Sequence, residues 1–586
     1  MHHHHSSARR AARQLLLPPL ACLLVLSSGC NFRNTGLPLA SEGRIIQYSL
    51  RLDEQGEGFF VEAVFPPGLA LERLCSPSLG NRAGESLEWR GLENETGSIP
   101  LSWEDDGCFT IPRQRGEVAA RYHVATLSRD RPAWRAVSLS PYADADRLVF
   151  PGEVVFLELD GRDAAAQVPS QVSIFDSDGT PLALGVHDVH STLKKSEDAW
   201  LAPNNEVLIR SLLWLEDAAV CTAVDGELGR MNLVVSGGLA APELAAETAQ
   251  LVHSLEQWAP TRSASLELLA LLPARWDRSA RSGFARRNGI VLQVGQDALA
   301  DPEVFRSLLS HELFHLYNGE SLFYSEEDYA ATTWFREGTT SYVSAVALVQ
   351  SGLGDEASFM KKLAEHASNY LLNPVRRDAK ASELDWRRMP YDHGVLLSLA
   401  LDLILRDVSG GTRSLQGFWR YFAESRYWKW QQTNETLLFA LNQYSGVELS
   451  GFFETYVKGS APIPVYALLR NSGFDVSPTQ RELAYLEMSV EYNVDRVELV
   501  VTGLVKDGVA DLAGVQLGDV LVPLEGTSFD KIDAPIEFKI RRQGEESFVR
   551  LRAARQLAPT VDIHPSGDQP DLPFRLILEP YANAQL

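Results

Sequence analysis

The chain has 586 residues, 45% of them apolar and 22% charged, with a formal net charge of −23. That length exceeds what one hydrophobic core holds and predicts roughly two to four domains. The composition is that of a folded globular protein, and the acidic balance excludes nucleic acid as a partner, because phosphate binding needs a concentrated excess of Lys and Arg.

The first thirty residues read as an address. Arg9, Arg10 and Arg13 make a basic start, residues 14–26 are an apolar run broken by Pro18 and Pro19, and Ser27-Ser28-Gly29 precede Cys30. This layout predicts a secretory signal peptide over 1–30, too short to span a bilayer as a stable helix. Its ending resembles a bacterial lipobox, which implies cleavage before Cys30 and a lipid anchor on its thiol; a plain signal peptide with an incidental cysteine is the alternative. Asn31 in the next position implies the outer membrane, so the expected location is the cell envelope, facing periplasm or cell surface. His2 to His5 lie inside the removed segment and are given no metal role. Beyond the leader stand Cys75, Cys108 and Cys221. In an oxidising compartment Cys75 and Cys108 could pair, leaving Cys221 over, but a buried free thiol suits each of them equally.

Residues 31–240 read as an N-terminal β domain, a sandwich or saddle. Short runs at 45–52, 59–65, 154–159 and 231–236 are separated by Gly, Pro, Asp and Asn clusters. His187 and His190 form a His-x-x-His pair there with no third ligand near in sequence, so they are not taken as a metal site. Over 241–475 helical periodicity follows a small β patch. A helix is expected over 243–258, a buried strand over 265–272 and an edge-like strand over 289–294. Helices are then expected around 302–318, 330–350, 391–406, 413–425 and 434–444. Short strands return over 476–560, with a small-residue run at 508–514 and Gly518-Asp519-Val520-Leu521 after it; 561–586 reads as a linker or packed tail. The fold class is multidomain α+β.

The chemistry concentrates in three stretches. In His311-Glu312-Leu313-Phe314-His315 a helix would put both imidazoles on one face, able to meet one ion, with Glu312 beside it as the base. Asp301 is a good cap for that helix and Pro302 suits its first turn; Glu303, Arg306, Ser307 and Ser310 form a narrow polar strip to one side of the histidines. Catalytic zinc usually takes three protein ligands and keeps a position open. Glu337, lodged among Trp334, Phe335 and Tyr342, is the candidate third ligand, since a carboxylate in such surroundings is expensive without a cation. The third stretch, Tyr391-Asp392-His393-Gly394, opens a helix and offers a phenol for a developing oxyanion. Thr340 or Ser341 could orient a ligand histidine.

Together these stretches resemble gluzincin zinc aminopeptidases, most closely the glycyl aminopeptidase family. His311 and His315 with Asn318 follow its His-x-Trp-Asn continuation, with Tyr317 in place of tryptophan. Trp334, Glu337, Gly338, Thr340 and Tyr342 match its second motif, and Tyr391 and Gly394 match Tyr-x-Lys-Gly with His393 in place of lysine. The resemblance implies an N-terminal β domain, a thermolysin-like catalytic domain over 241–475, a PDZ domain over 476–560 with its own ligand, one zinc ion, and peptide or protein substrates. It also implies a substrate-binding stretch at Gly283, Phe284, Arg286 and Arg287. There Ala285 stands where the family carries an acidic residue for the substrate's α-amine. An endopeptidase, or an enzyme that reads an acidic group through Arg286 or Arg287, is therefore the alternative to an aminopeptidase. The other alternative is a non-catalytic envelope scaffold that binds partners through the PDZ domain.

Overall fold

The computed structural model describes residues 44–579 apart from 55–57, 70, 76–86, 104–107, 115, 126–141, 145–146, 160–167, 183–193, 197–198, 217–219, 227–228, 236–240, 260–267, 275–280, 287–288, 320–321, 323–327, 329–330, 373–390, 494–497, 525–528 and 530–531. Cys30, His187, His190 and Arg287 lie outside the described residues.

The N-terminal region is built on an eight-stranded sheet. Its centre is Ile46–Leu52, parallel to Ser170–Phe175 on one side and antiparallel to Gly58–Phe65 on the other. Alternation makes one face of it: Ile46, Tyr48 and Leu50 are buried, and so are Phe59, Val61, Ala63 and Phe65 across the ladder. Smaller four- and three-stranded sheets contribute Leu74, Phe109, Phe150 and Leu213 to the same core. Cys75 and Cys108 sit directly opposite each other on adjacent strands and form a disulfide.

The second region begins with helix α1 (Ala241–Glu256) and three strands, β1 (Leu268–Ala274), β2 (Arg281–Arg286) and β3 (Gly289–Gly295). The expected edge position of β3 is wrong. It lies in the middle, parallel to β1 and antiparallel to β2, and all seven of its residues are buried. Ile290, Val291, Leu292 and Val294, interrupted only by the buried Gln293 and flanked by glycines, suit a strand covered on both faces, and β2, whose sequence is more polar, takes the edge.

Helices follow, of which the first packs on this sheet: α2 (Pro302–His315), α3 (Thr340–Gln350), α4 (Glu356–Leu372), α5 (Tyr391–Val408), α6 (Leu415–Glu424), α7 (Asn434–Ser445) and α8 (Val465–Asn471). Among the described residues none is long and apolar enough to cross a membrane. Helix α4 was not anticipated. The helix expected over 330–350 is present as two pieces, a π-helical turn at Trp334–Thr339 that runs into α3.

Near the C-terminus β4 (Phe474–Tyr485) and β5 (Ala554–Pro565) pair along their whole length as an antiparallel arm. Between them lies a five-stranded antiparallel sheet, from Met488–Asn493 to Glu545–Leu551, with a one-turn helix at Val509–Leu512. It has its own small core around Val501, Leu521, Phe538 and Val549. The last helix, α9 (Pro573–Leu578), returns to the helical region and buries Phe574, Ile577 and Leu578 in its core.

Candidate metal centre

Helix α2 presents the first two donors. Asp301 caps it, its side chain accepting from the backbone N–H of Glu303 and Val304, with Pro302 in the first turn. The polar strip expected along this helix is interrupted: Ser310 is fully buried and donates to the Ser344 carbonyl of α3. Directly after it, the rings of His311 and His315 meet edge-on, with their Nε2 atoms 3.0 Å apart.

The π turn supplies the third donor. One extra residue per turn rotates the carboxylate of Glu337 relative to an α-helical course, and such bulges recur at functional sites. Glu337 Oε2 stands 3.4 Å from His311 Nε2 and 3.2 Å from His315 Nε2. Tetrahedral zinc with bonds of about 2.0–2.1 Å separates its donors by about 3.3–3.4 Å. Two imidazole nitrogens and one carboxylate oxygen at these spacings fit zinc in chemistry and in size, and they form the one three-ligand cluster among the described residues. Each ligand is also partly exposed, the side chains at 12% to 14%, so water reaches the centre.

Both imidazoles are oriented from behind. His315 Nδ1–H donates to the Asn318 carbonyl at 3.2 Å. The side-chain amide of Asn318 in turn donates to Thr340 Oγ1 and to the carbonyls of Phe335 and Arg336. Ser341 Oγ lies 3.2 Å from His311 Nδ1 while donating to the Glu337 carbonyl, which leaves its lone pair for the imidazole N–H. Ser341 therefore touches a histidine directly, whereas Thr340 acts one step removed, through Asn318. These contacts leave both Nε2 atoms as lone-pair donors toward the ion site.

The guanidinium of Arg336, almost fully buried, lies 3.5 Å from Glu337 Oε1, the oxygen turned away from the histidines. Burial alone would raise the Glu337 pKa, but the imidazoles of His315 and His311 and the Arg336 cation outweigh it and hold the carboxyl well below its usual range. Sequence reasoning missed Arg336, because nothing marks which charge in a largely apolar helix will be buried.

Glu312 is buried beneath the edge strand. A Cβ on Gly283 of β2 would lie 2.6 Å from Glu312 Cγ, so glycine at 283 is what admits the glutamate side chain. Ala285, two residues on and on the same strand face, is buried within the core. Phe284 alternates to the other face; Arg286 ends β2.

Tyr391 is the first residue of α5, and a seam of glycines sets its depth. A Cβ on Gly394 would lie 2.6 Å from Gly338 Cα and closer still to the Trp334 carbonyl, so α5 rests directly on the π turn. The phenol is hydrogen-bonded to Glu337, and its ring lies 5.7 Å from that of His311. Burial first, then the carboxylates of Glu337 and Glu312, push its pKa well above the phenol value, so the hydroxyl keeps its proton.

Residues 304–391, which contain all three donors, Glu312 and Tyr391, match the profile of the M61 glycyl aminopeptidase family. A comparison with curated proteins finds no match. Among solved structures, the aminopeptidase N family protein of Idiomarina loihiensis shares the fold, with a TM-score of 0.64 at 18% identity, over 91% of this chain and 100% of that one. An M1 zinc metallopeptidase of Deinococcus radiodurans aligns with a TM-score of 0.46 at 15% identity, over 72% of this chain and 95% of that one.

Proposed function

We propose that this chain is a zinc-dependent peptidase in which His311, His315 and Glu337 hold the ion and Glu312 is the general base. The observation that carries the reading is the convergence of the three donor atoms within 4.8 Å of one another, in the segment that matches the glycyl aminopeptidase profile. Zinc, when bound, acidifies a water and polarises the scissile carbonyl. Glu312, next to His311 on the same helix, accepts the water's proton as it attacks and passes it to the leaving amine. Tyr391, whose burial keeps it protonated, donates to the oxyanion of the tetrahedral intermediate. Arg336 draws Oε1 of Glu337 aside, which leaves Oε2 for the ion.

Removal of amino-terminal residues is favoured over internal cleavage, because the matching profile is that of glycyl aminopeptidases. Ala285, on the strand face that Gly283 turns to Glu312, supplies no acidic group for a substrate's α-amine, so that preference rests on the profile alone. The sheet over 488–551 is proposed as a PDZ domain, for which its five antiparallel strands and one-turn helix are the support. Cys30 is proposed as the lipid attachment site of an envelope protein, on the sequence preceding it.

Peptides with free and with blocked amino termini, offered with and without chelator to the wild type and to Glu312→Gln, test the reading. Chelator-sensitive cleavage of free-amine peptides is expected, with turnover abolished and zinc retained in the variant. Cleavage of blocked peptides would make the enzyme an endopeptidase. A fully active Glu312→Gln would remove the base from its role.

A further inference from the structure

The first turn of α5 is gripped from two directions, and one grip has no part in the metal centre. Tyr391 turns toward Glu337 and His311. Asp392, the next residue and so about 100° further round the helix, turns toward α4. Its carboxylate is buried, with Oδ1 2.8 Å from His366 Nδ1 and 3.4 Å from the Asn369 side-chain amide. His366 and Asn369 stand three apart on α4, on one face, so both donors meet a single oxygen.

Helix α4 is itself anchored. Phe359, Leu363, Ala367 and Tyr370 are buried in the main core, and Ser368 Oγ accepts from the Val561 N–H of β5. Tyr370 Oη accepts from the Ile463 N–H, and its ring meets that of His393 edge-on at 5.3 Å. A fixed helix thus offers a fixed donor pair to the residue beside the phenol.

The Gly338–Gly394 seam sets how deep α5 lies, and Thr339 and Tyr342 pin the helix further along through Ser398 and Asp402, but at the first turn two facing glycines offer no side chain to fix its rotation. A charged hydrogen bond to Asp392 supplies that restraint, with the strength expected of a buried carboxylate meeting a donor. We propose that the His366–Asp392 contact is a positioning device for Tyr391, holding the first turn of α5 so that the phenol reaches the oxyanion. His366 and Asp392 are positioning residues and do not touch the substrate. This rests on the peptidase reading above, with Tyr391 as oxyanion donor.

The test is a double-mutant cycle in the full-length, zinc-loaded protein between His366→Ala and Tyr391→Phe, with His366→Asn as the conservative variant that can still donate an amide hydrogen. Zinc content and thermal melting confirm that each variant is folded and loaded. A misplacement of about 1 Å costs roughly 10²-fold in rate. His366→Ala is therefore expected to lower kcat by about 10- to 100-fold with KM and zinc stoichiometry within about twofold of wild type. His366→Asn should recover most of the loss. In the Tyr391→Phe background the same His366→Ala change should cost less than about twofold. An equal loss of kcat in both backgrounds, or no loss in either, would overturn the proposal; so would a loss confined to KM. If His366→Ala does not fold, the cycle is run with His366→Asn, whose smaller loss must likewise vanish in Tyr391→Phe. A wild type without chelator-sensitive hydrolysis would instead overturn the peptidase reading, and the positioning role with it.

Discussion

Gly394→Ala tests the geometry of the centre at a residue that touches neither metal nor substrate. The new Cβ would lie 2.6 Å from Gly338 Cα, and nearer to the Trp334 carbonyl. Carbon atoms in contact sit at about 3.5–4.0 Å, so α5 and the π turn must part by about 1 Å. The atoms in the way are backbone on both sides, and no rotamer change relieves them. Overpacking of this kind costs about 1–3 kcal/mol, and the upper end applies here. Tyr391 rides on the same helix one turn earlier, while Glu337 precedes the facing glycine. Opening the seam therefore separates the phenol from the third ligand, and a 1 Å error of placement is worth roughly 10²-fold in rate. The expected result is a melting temperature lowered by several degrees and a kcat about 100-fold down. Differential scanning calorimetry, single-peptide kinetics and zinc analysis measure these together. A Gly394→Ala protein with wild-type melting and wild-type kcat would refute the claim that direct backbone contact sets Tyr391.

Three further outcomes are expected. Gly283→Ala pushes a methyl against Glu312 and should lower kcat at least about 10-fold while zinc stoichiometry holds; wild-type turnover would mean that the glutamate has room elsewhere. Ser341→Ala removes the partner of His311 Nδ1 and should weaken zinc binding by about 10- to 100-fold in a chelator competition; unchanged affinity would show that His311 needs no such support. Tyr342→Phe deletes a 2.8 Å hydrogen bond to the buried Asp402 and should cost about 1.5–3 kcal/mol in denaturant unfolding, with kcat unaltered; a variant of wild-type stability would mean that Arg406 and the Leu415 N–H satisfy Asp402 by themselves.

The parts of the centre that could be read from the sequence are those governed by local periodicity. His311 and His315 share a face because α-helical spacing puts them there, and Asp301 starts the helix for reasons visible in three residues. The π turn was not legible, because it depends on how Gly338 meets Gly394, more than fifty residues away in the chain. The central place of β3 depends on which neighbours it finds, and its apolar run fits any covered strand. Helix α4 had a signal that went unused: Phe359, Leu363, Ala367 and Tyr370 recur at helical spacing, partly hidden by the charges between them. The arm of β4 and β5 gave almost none. Its strands are largely exposed, carry prolines at 478 and 559, and pair across some eighty residues.

The return of α9 bears on the order in which the molecule is assembled. Phe574, Ile577 and Leu578 belong to the same core as Leu309, Phe335 and Trp419, although the five-stranded sheet lies between them in the chain. That sheet is therefore an insertion held at both ends, and the helical core lacks part of its wall until the final turn has been synthesised. A chain emerging N-terminus first can complete its β domain early, but the helical core is whole only when residue 578 arrives. Truncation ahead of Phe574 is therefore expected to loosen the helical core as a whole, far from the cut in sequence.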